Sequence, residues 1–265
     1  MVTQILWPLA TLGGMGILFG LLLSYASKKF YVEVDERVAL VRECLPGANC
    51  GGCGYAGCDN LAAAVVEGSA KVSACPVGGA AVAEQISAIM GLTGGTDFEK
   101  VAAYVLCNGA EGGAREIYHY DGVSQCAAAA QFDGGPKSCR FACLGYGDCV
   151  RACKFGAVTV VHQQAKVDPD KCTGCGACAA ACPKGVIQVT PVKMRLTVAC
   201  RNTDAAKKVR EVCARGCIAC KRCEKACEYG AIHVAGGVAQ IDYAKCTNCG
   251  KCAEQCPSKC IVEKI

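Results

Sequence analysis

The chain has 265 residues and a mass of 27.3 kDa, enough for one or two domains. Its formal charge of +5, from 28 basic and 23 acidic residues, is too mild and too mixed for nucleic-acid binding. Hydrophobic residues reach 52% and aromatics only 6%, while 32 glycines and 26 cysteines together make up more than a fifth of the chain. With so few branched and aromatic side chains, something besides apolar burial must hold the fold. Such cysteine density marks a disulfide scaffold in a short secreted chain, and metal ligation is the competing reading that spacing has to decide.

From Ile5 to Tyr25 the sequence ILWPLATLGGMGILFGLLLSY carries no charge over 21 residues. As a helix it spans about 30 Å, the hydrocarbon thickness of a bilayer. Pro8 is expected in the first turn, where a missing N–H costs little. Trp7 and Tyr25 bracket the stretch, and Lys28 and Lys29 follow it, which puts the C-terminal side in the cytoplasm. The cysteines then lie in a reducing compartment, where structural disulfides are disfavoured. A cleaved signal peptide ending at Ser24-Tyr25-Ala26 is the rival. Residues 1–27 carry no basic side chain, however, and the apolar run exceeds a typical signal core. Gly16, Gly20 and Ser24 form a small-residue ladder that lets another membrane helix approach closely.

Residues 30–44 alternate at first and then turn helix-like. They lead into Cys50-x2-Cys53-x4-Cys58-x16-Cys75, a glycine-dense loop that suits close backbone approach to a metal cluster, though four thiolates could also close a zinc tetrahedron. Residues 59–90 have apolar residues at helical spacing, interrupted by Cys75-Pro76, and Gly91, Gly94 and Gly95 mark the best domain boundary. VAAYVLC (101–107) reads as a strand, and AVTVV and AIHVA as shorter ones.

The cysteines beyond residue 120 repeat. Adding 74 to Cys126, Cys139, Cys143, Cys149, Cys153, Cys172, Cys175, Cys178 and Cys182 gives Cys200, Cys213, Cys217, Cys223, Cys227, Cys246, Cys249, Cys252 and Cys256. The surrounding text matches as well, so this is a duplicated module. In the second copy Cys217-x2-Cys220-x2-Cys223-x3-Cys227 precedes Cys246-x2-Cys249-x2-Cys252-x3-Cys256-Pro257. That double run is the bacterial ferredoxin pattern for two [4Fe–4S] clusters, in which the fourth cysteine of each run reaches the other cluster. Cys217, Cys220, Cys223 and Cys256 then form one set, and Cys246, Cys249, Cys252 and Cys227 the other. A zinc ribbon needs paired C-x2-C knuckles with a long spacer, not two unbroken runs.

In the first copy Tyr146 stands where the second has Cys220. Cys153, Cys172, Cys175 and Cys178 still complete one set, whereas Cys143, Cys149 and Cys182 lack a fourth ligand. Cys107, Cys126 and Cys139 are the candidates to supply it. Cys200 and Cys213 are surplus, which suggests a sixth cluster between the copies that takes two ligands from each. One partition completes the first-copy set with Cys139 and another with Cys107; the sequence leaves both open. Cys44 and Cys260 fit no ligand position and read as ordinary thiols. His119, His162 and His233 stand outside any ligand spacing. The basic group Lys207, Lys208, Arg210, Arg215, Lys221, Arg222 and Lys225 flanks a cluster loop and either steers an acidic partner or forms a solvated face.

The apolar segment followed by SYASKKFYVEVDERV, the LPGANCGGCGYAGC loop and the ferredoxin runs together resemble the B-type subunit of Rnf-type membrane complexes, the ion-translocating ferredoxin:NAD⁺ oxidoreductases. CNG at 107–109 and CRFACLGYGDC at 139–149 are similar to the long, cluster-rich form. The resemblance implies five [4Fe–4S] clusters plus the inferred sixth. It also implies reduced ferredoxin as electron donor, integral membrane subunits as acceptors within a hetero-oligomer, and coupling to Na⁺ or H⁺ export. The expected fold is α+β, small and loop-rich. It comprises a single-pass inner-membrane anchor (1–29), a helical [4Fe–4S] domain (30–95) and ferredoxin-like modules at 96–192 and 193–265 on the cytoplasmic side. The chain has no Rossmann G-x-G-x-x-G or P-loop and is expected to bind no nicotinamide. A polyferredoxin of another anaerobic membrane enzyme, such as a hydrogenase, and a zinc-stabilised interaction protein are the alternatives.

Overall fold

The computed structural model describes residues 2–30, 35–92, 98–110 and 113–264, without the side chains of 2–6 and 8–11. The expected alternation at 31–34 and the Gly94–Gly95 boundary fall outside the described residues. Helix α1 (Val2–Lys29) opens the chain. It starts before the uncharged run, so Pro8 falls in the second turn rather than the first as expected; the apolar stretch marks the hydrophobic span, not the helix start. Along α1 the described large apolar side chains, among them Leu12, Ile17, Leu21 and Leu23, are exposed. Among the described residues no helix is long and apolar enough to cross a membrane.

Three helices follow, α2 (Glu36–Cys44), α3 (Cys58–Val66) and α4 (Gly79–Ile89). Asp35 caps α2, its carboxylate accepting from the Arg37 N–H at 2.9 Å. The three pack around Val41, Leu61, Val65 and Ile86, with Cys58 and Cys75 in the same core. The apolar spacing expected over 59–90 thus becomes two helices: α3 ends at Val66, where left-handed Gly68 turns the chain out of the helix, and the Cys75-Pro76 turn lies in the connection before α4.

The rest of the chain forms two modules of the same plan. Strand β1 (Val101–Val105) pairs antiparallel with β4 (Ile187–Pro191), and β2 (Val158–Val161) with β3 (Gln164–Val167). In the second module β5 (Leu196–Val198) pairs with β8 (Ile261–Glu263), and β6 (Ile232–Ala235) with β7 (Val238–Ile241). Helices α6 (Asp148–Ala152) and α7 (Ala177–Ala180) recur 74 residues later as α9 (Arg222–Ala226) and α10 (Lys251–Glu254). Two further short helices, α5 (Cys126–Ala129) and α8 (Ala206–Val212), have no counterpart in the other module. Each module therefore folds as a first strand returning to its last, with a hairpin and cysteine loops between.

Equivalent residues of the two modules touch one another. The Ser138 hydroxyl donates to the Val212 carbonyl at 2.8 Å, and the Lys264 ammonium to the Thr190 hydroxyl at 2.8 Å. Both pairs are separated by 74 residues, the repeat length. Such self-contact of equivalent positions is what a two-fold axis produces, so the modules face each other about a local dyad. Lys264 also lies 4.4 Å from the Tyr104 ring and 4.5 Å from the Tyr243 ring, joining β8, β1 and the second module's cysteine loop.

Leu61 is 1% exposed at the centre of the three-helix core. Leu61→Ala is expected to cost about 2–5 kcal/mol, read as a lower urea midpoint for the helical signal.

Candidate metal centres

The cysteines converge in fours, although none is disulfide-bonded. In the second module Cys227, Cys246, Cys249 and Cys252 line a void of ≈ 360 Å³, partly open to solvent, walled by Leu196, Ile232 and Ile241. A neighbouring void of ≈ 320 Å³, also partly open to solvent, is lined by Cys217, Cys220, Cys223 and Cys256, with Cys260 as a fifth thiol in its wall. These are the two sets that the spacing predicts, an outer and an inner one. In the first module the outer thiols Cys153, Cys172 and Cys175 crowd Cys178, whose pKa is pushed up to about 11, first by burial and then by those neighbours. Near the N-terminus Cys75 is raised by burial, with Cys53 and Cys58 adding to it.

The inner set of the first module takes a ligand position that the two partitions from sequence do not use. Cys149 is pushed up to about 12 by burial and by the neighbouring thiols Cys143, Cys126 and Cys182. Of the three candidates Cys107, Cys126 and Cys139, Cys126 is the one beside Cys149. Asp148, directly before Cys149, holds it there: its two carboxylate oxygens accept from the N–H groups of Cys126 and Ala127, both at 2.9 Å. This carboxylate caps α5 and pins it to α6. Tyr146, at the Cys220 position, packs instead against Tyr120 of the same segment, with ring centres 5.6 Å apart.

Cys107 and Cys139 join Cys200 and Cys213 around a third void of ≈ 340 Å³, partly open to solvent, between the modules. Here the 74-residue register misleads. It equates Cys126 with Cys200, but Cys200 lies two residues after β5 and Cys107 two residues after β1. The structural partners are therefore Cys107 with Cys200 and Cys139 with Cys213, paired about the dyad. Cys126 belongs to an inserted segment of the first module that has no counterpart in the second.

Backbone donors point at sulfur throughout. The Ala157 N–H donates to Cys153 Sγ at 3.4 Å and the Ala231 N–H to Cys227 Sγ at 3.3 Å. The same relation links Ala165 to Cys143 at 3.5 Å and Ala239 to Cys217 at 3.4 Å. Asn202 Nδ2 reaches Cys139 Sγ at 3.4 Å. N–H groups aimed at four convergent thiols inside a void fit a sulfur-ligated cluster, whose hydrogen-bonded thiolates need such donors. Among the described residues no three His, Cys, Asp or Glu converge closely enough to hold a single metal ion. Left-handed backbone at Gly176 and Gly250 lets the chain turn sharply into α7 and α10.

The sets form a single file. Gly52 of the N-terminal loop lies so close to Cys175 that a Cβ there would sit 2.7 Å from its carbonyl oxygen. Cys178 acts on Cys149, Cys107 acts on Cys143, and the Cys217 N–H donates to Cys200 Sγ at 3.3 Å. Only Cys220 and Cys249, at the far end, are exposed. The sequence missed Cys260. It is 2% exposed, 3.5 Å from Cys256 Sγ, and its hydrogen bonding lowers the pKa of Cys256 and Cys217. Its first-module counterpart is the core residue Val186, so the position is apolar packing in which a thiol can also donate. Cys44 is one of the partly buried residues packed against the three-helix core, which also holds Cys58 and Cys75. His233 faces Glu224 at 3.5 Å, and His162 sits at the left-handed tip of the β2–β3 hairpin.

Family comparisons agree with this layout. Residues 45–77 match a putative Fe-S cluster family, 165–188 a 4Fe-4S binding domain and 216–260 a 4Fe-4S dicluster domain. The chain is 47% identical to the B-type subunit of the Na(+)-translocating ferredoxin:NAD(+) oxidoreductase complex of Acetobacterium woodii, over 98% of this chain and 78% of that one. It is 44% identical to the B-type subunit of the ion-translocating oxidoreductase complex of Methanosarcina acetivorans, over 96% of both chains. A third relative, the corresponding subunit of the proton-translocating ferredoxin:NAD(+) oxidoreductase complex of Clostridium ljungdahlii, is 39% identical over 93% of this chain and 88% of its own length. The chain belongs to the family of Rnf B-type subunits. As a member it is an iron–sulfur electron-transfer subunit of an ion-translocating ferredoxin:NAD⁺ oxidoreductase, an assembly of several different subunits.

Two substitutions test the geometry. Asp148→Ala should release α5 and with it Cys126, lowering bound iron by about four per chain, the content of one cube. Gly52→Ala should separate the N-terminal loop from Cys175 and slow electron passage to the N-terminal set while iron content stays at the wild-type level.

Proposed function

We propose that the chain takes electrons from reduced ferredoxin at its second module and carries them through six [4Fe–4S] sites to the N-terminal loop, where membrane subunits receive them. The observation that carries this reading is the single-file contact of the thiol sets, from the second module with its exposed Cys249 and Cys220 to the cysteine loop between α2 and α3. The cubes, when bound, store and release single electrons. The protein's part is to fix their spacing, aim N–H donors at their sulfurs and keep water from the middle of the file.

The ligands assigned are Cys50, Cys53, Cys58 and Cys75 at the N-terminus; Cys153, Cys172, Cys175 and Cys178; Cys126, Cys143, Cys149 and Cys182; Cys107, Cys139, Cys200 and Cys213; Cys217, Cys220, Cys223 and Cys256; and Cys227, Cys246, Cys249 and Cys252. The void between the modules supports the sixth site, and the exposure of Cys220 and Cys249 supports docking of the donor at that end. Lys221, Arg222 and Lys225 beside Cys220 suit an acidic protein, whose approach salt would slow.

The uncharged run Ile5–Tyr25 and the exposed apolar side chains of α1 support a single-pass anchor in the inner membrane. Lys28 and Lys29 favour placing the modules on the cytoplasmic side. Domain limits at 1–29, 30–95, 96–192 and 193–265 follow the elements. The coupling ion is carried elsewhere in the complex, since relatives named for Na⁺ and for protons share this chain's layout.

Anaerobically purified full chain should hold about 24 iron with matching acid-labile sulfide. Cys200→Ala should lower that by about four and stop ferredoxin from reducing the N-terminal site. Wild-type iron near about 20 would remove the bridging site, and zinc with little sulfide would remove the redox reading altogether.

A further inference from the structure

The modules repeat their cysteines but not their buried charge. Lys137 is 5% exposed, and its ammonium donates to the Gln163 carbonyl at 2.8 Å. No carboxylate pairs with it among the described residues. A buried cation without a counter-charge is strongly unfavourable, so this position calls for a negative group close by. The side chain acts on Cys143, where its charge opposes the effect of burial. Lys184 is half-buried, donates to the Gly134 carbonyl at 2.6 Å and acts on both Cys139 and Cys182, with Arg140 the nearest competing cation. Seventy-four residues on, the second module has exposed Glu211, 3.9 Å from Lys208, and Ser258 in their places.

The two inner sets also differ in access to water. Cys220 is exposed, whereas Cys126 is buried beneath Tyr120 and Tyr146. Adding an electron to a cube adds negative charge. Water stabilises that charge at the second module's inner set, while the dry pocket of the first opposes it.

We propose that Lys137 and Lys184 are the fixed counter-charges of the first module's inner site, holding its reduced form in a pocket that water does not reach. The inference rests on the electron-relay reading. It concerns a one-electron reduction in which no bond forms or breaks and no proton is required. With both ammonium groups in place, the two inner sites stay close in potential, and electrons crossing the bridging set meet no large uphill step.

The test is an EPR-monitored redox titration of the full, cluster-loaded chain. In Lys137→Gln the inner-site midpoint should move to more negative potential. In Lys184→Gln the same midpoint should move together with that of the bridging set to which Cys139 belongs. In the double variant the inner-site midpoint should move further still, while the other midpoints stay in place. Lys137→Arg, which keeps the charge, should retain the wild-type midpoint. Unchanged midpoints in both Gln variants at wild-type iron content would reduce the two lysines to turn clamps and overturn the proposal. If Lys137→Gln binds less iron, Lys184→Gln at the half-buried rim decides alone. A wild-type chain with no [4Fe–4S] signal would overturn the relay reading itself, a distinct result from clusters that are present but indifferent to the lysines.

Discussion

Every element of this protein answers to the convergence of thiols in fours. Burial and mutual repulsion push Cys149 up to about 12 and Cys178 and Cys223 up to about 11, whereas hydrogen bonding from Cys260 holds Cys217 and Cys256 low. Iron must offset that cost, and binding it releases the thiol protons, so cluster assembly and folding are one process. The strands have three to five residues, and most helices in the modules have four or five. Cysteine sulfurs appear in the cores of both modules beside the few aliphatic side chains.

Duplication supplied the second constraint. Two copies facing each other about a dyad present equivalent residues to one another, as Ser138 meets Val212 and Thr190 meets Lys264. Cys107 with Cys139 and Cys200 with Cys213 exploit that geometry, so the void between the copies is built from the same two positions used twice. Once the modules were joined, the inner set of the first could no longer serve as an exposed terminus. The inserted segment with Cys126, fastened by Asp148, closes it, and Tyr146 fills the space where the second copy keeps exposed Cys220.

The copies have therefore diverged by position in the file. The second keeps open ends, with exposed Cys220 and Cys249 and basic residues nearby. The first is enclosed on both sides, by the N-terminal loop at Gly52 and by the bridging set, and it carries the buried lysines that the second lacks. Similar ligand spacing thus serves two electrostatic environments, which is how related sites can come to differ in potential.

The sequence by itself determined the ligand chemistry, the duplication and the two complete sets of the second module, because cluster-binding loops are local: three ligands lie within seven residues, and their spacing is their geometry. It also determined the strand that begins at Val101, though the structure ends it at Val105 rather than Cys107, the helices within 59–90 and the family resemblance. Three matters were left to the tertiary structure. Cys126 completes the first inner set through a hydrogen bond to a residue 22 positions away, which no local spacing encodes. Cys107 corresponds to Cys200 through strand order rather than through the 74-residue register, because an insertion shifts the register while the strands keep their places. Lys137 is an ordinary surface residue in sequence, and only the packing of its segment against the β2–β3 hairpin of the same module makes it a buried charge.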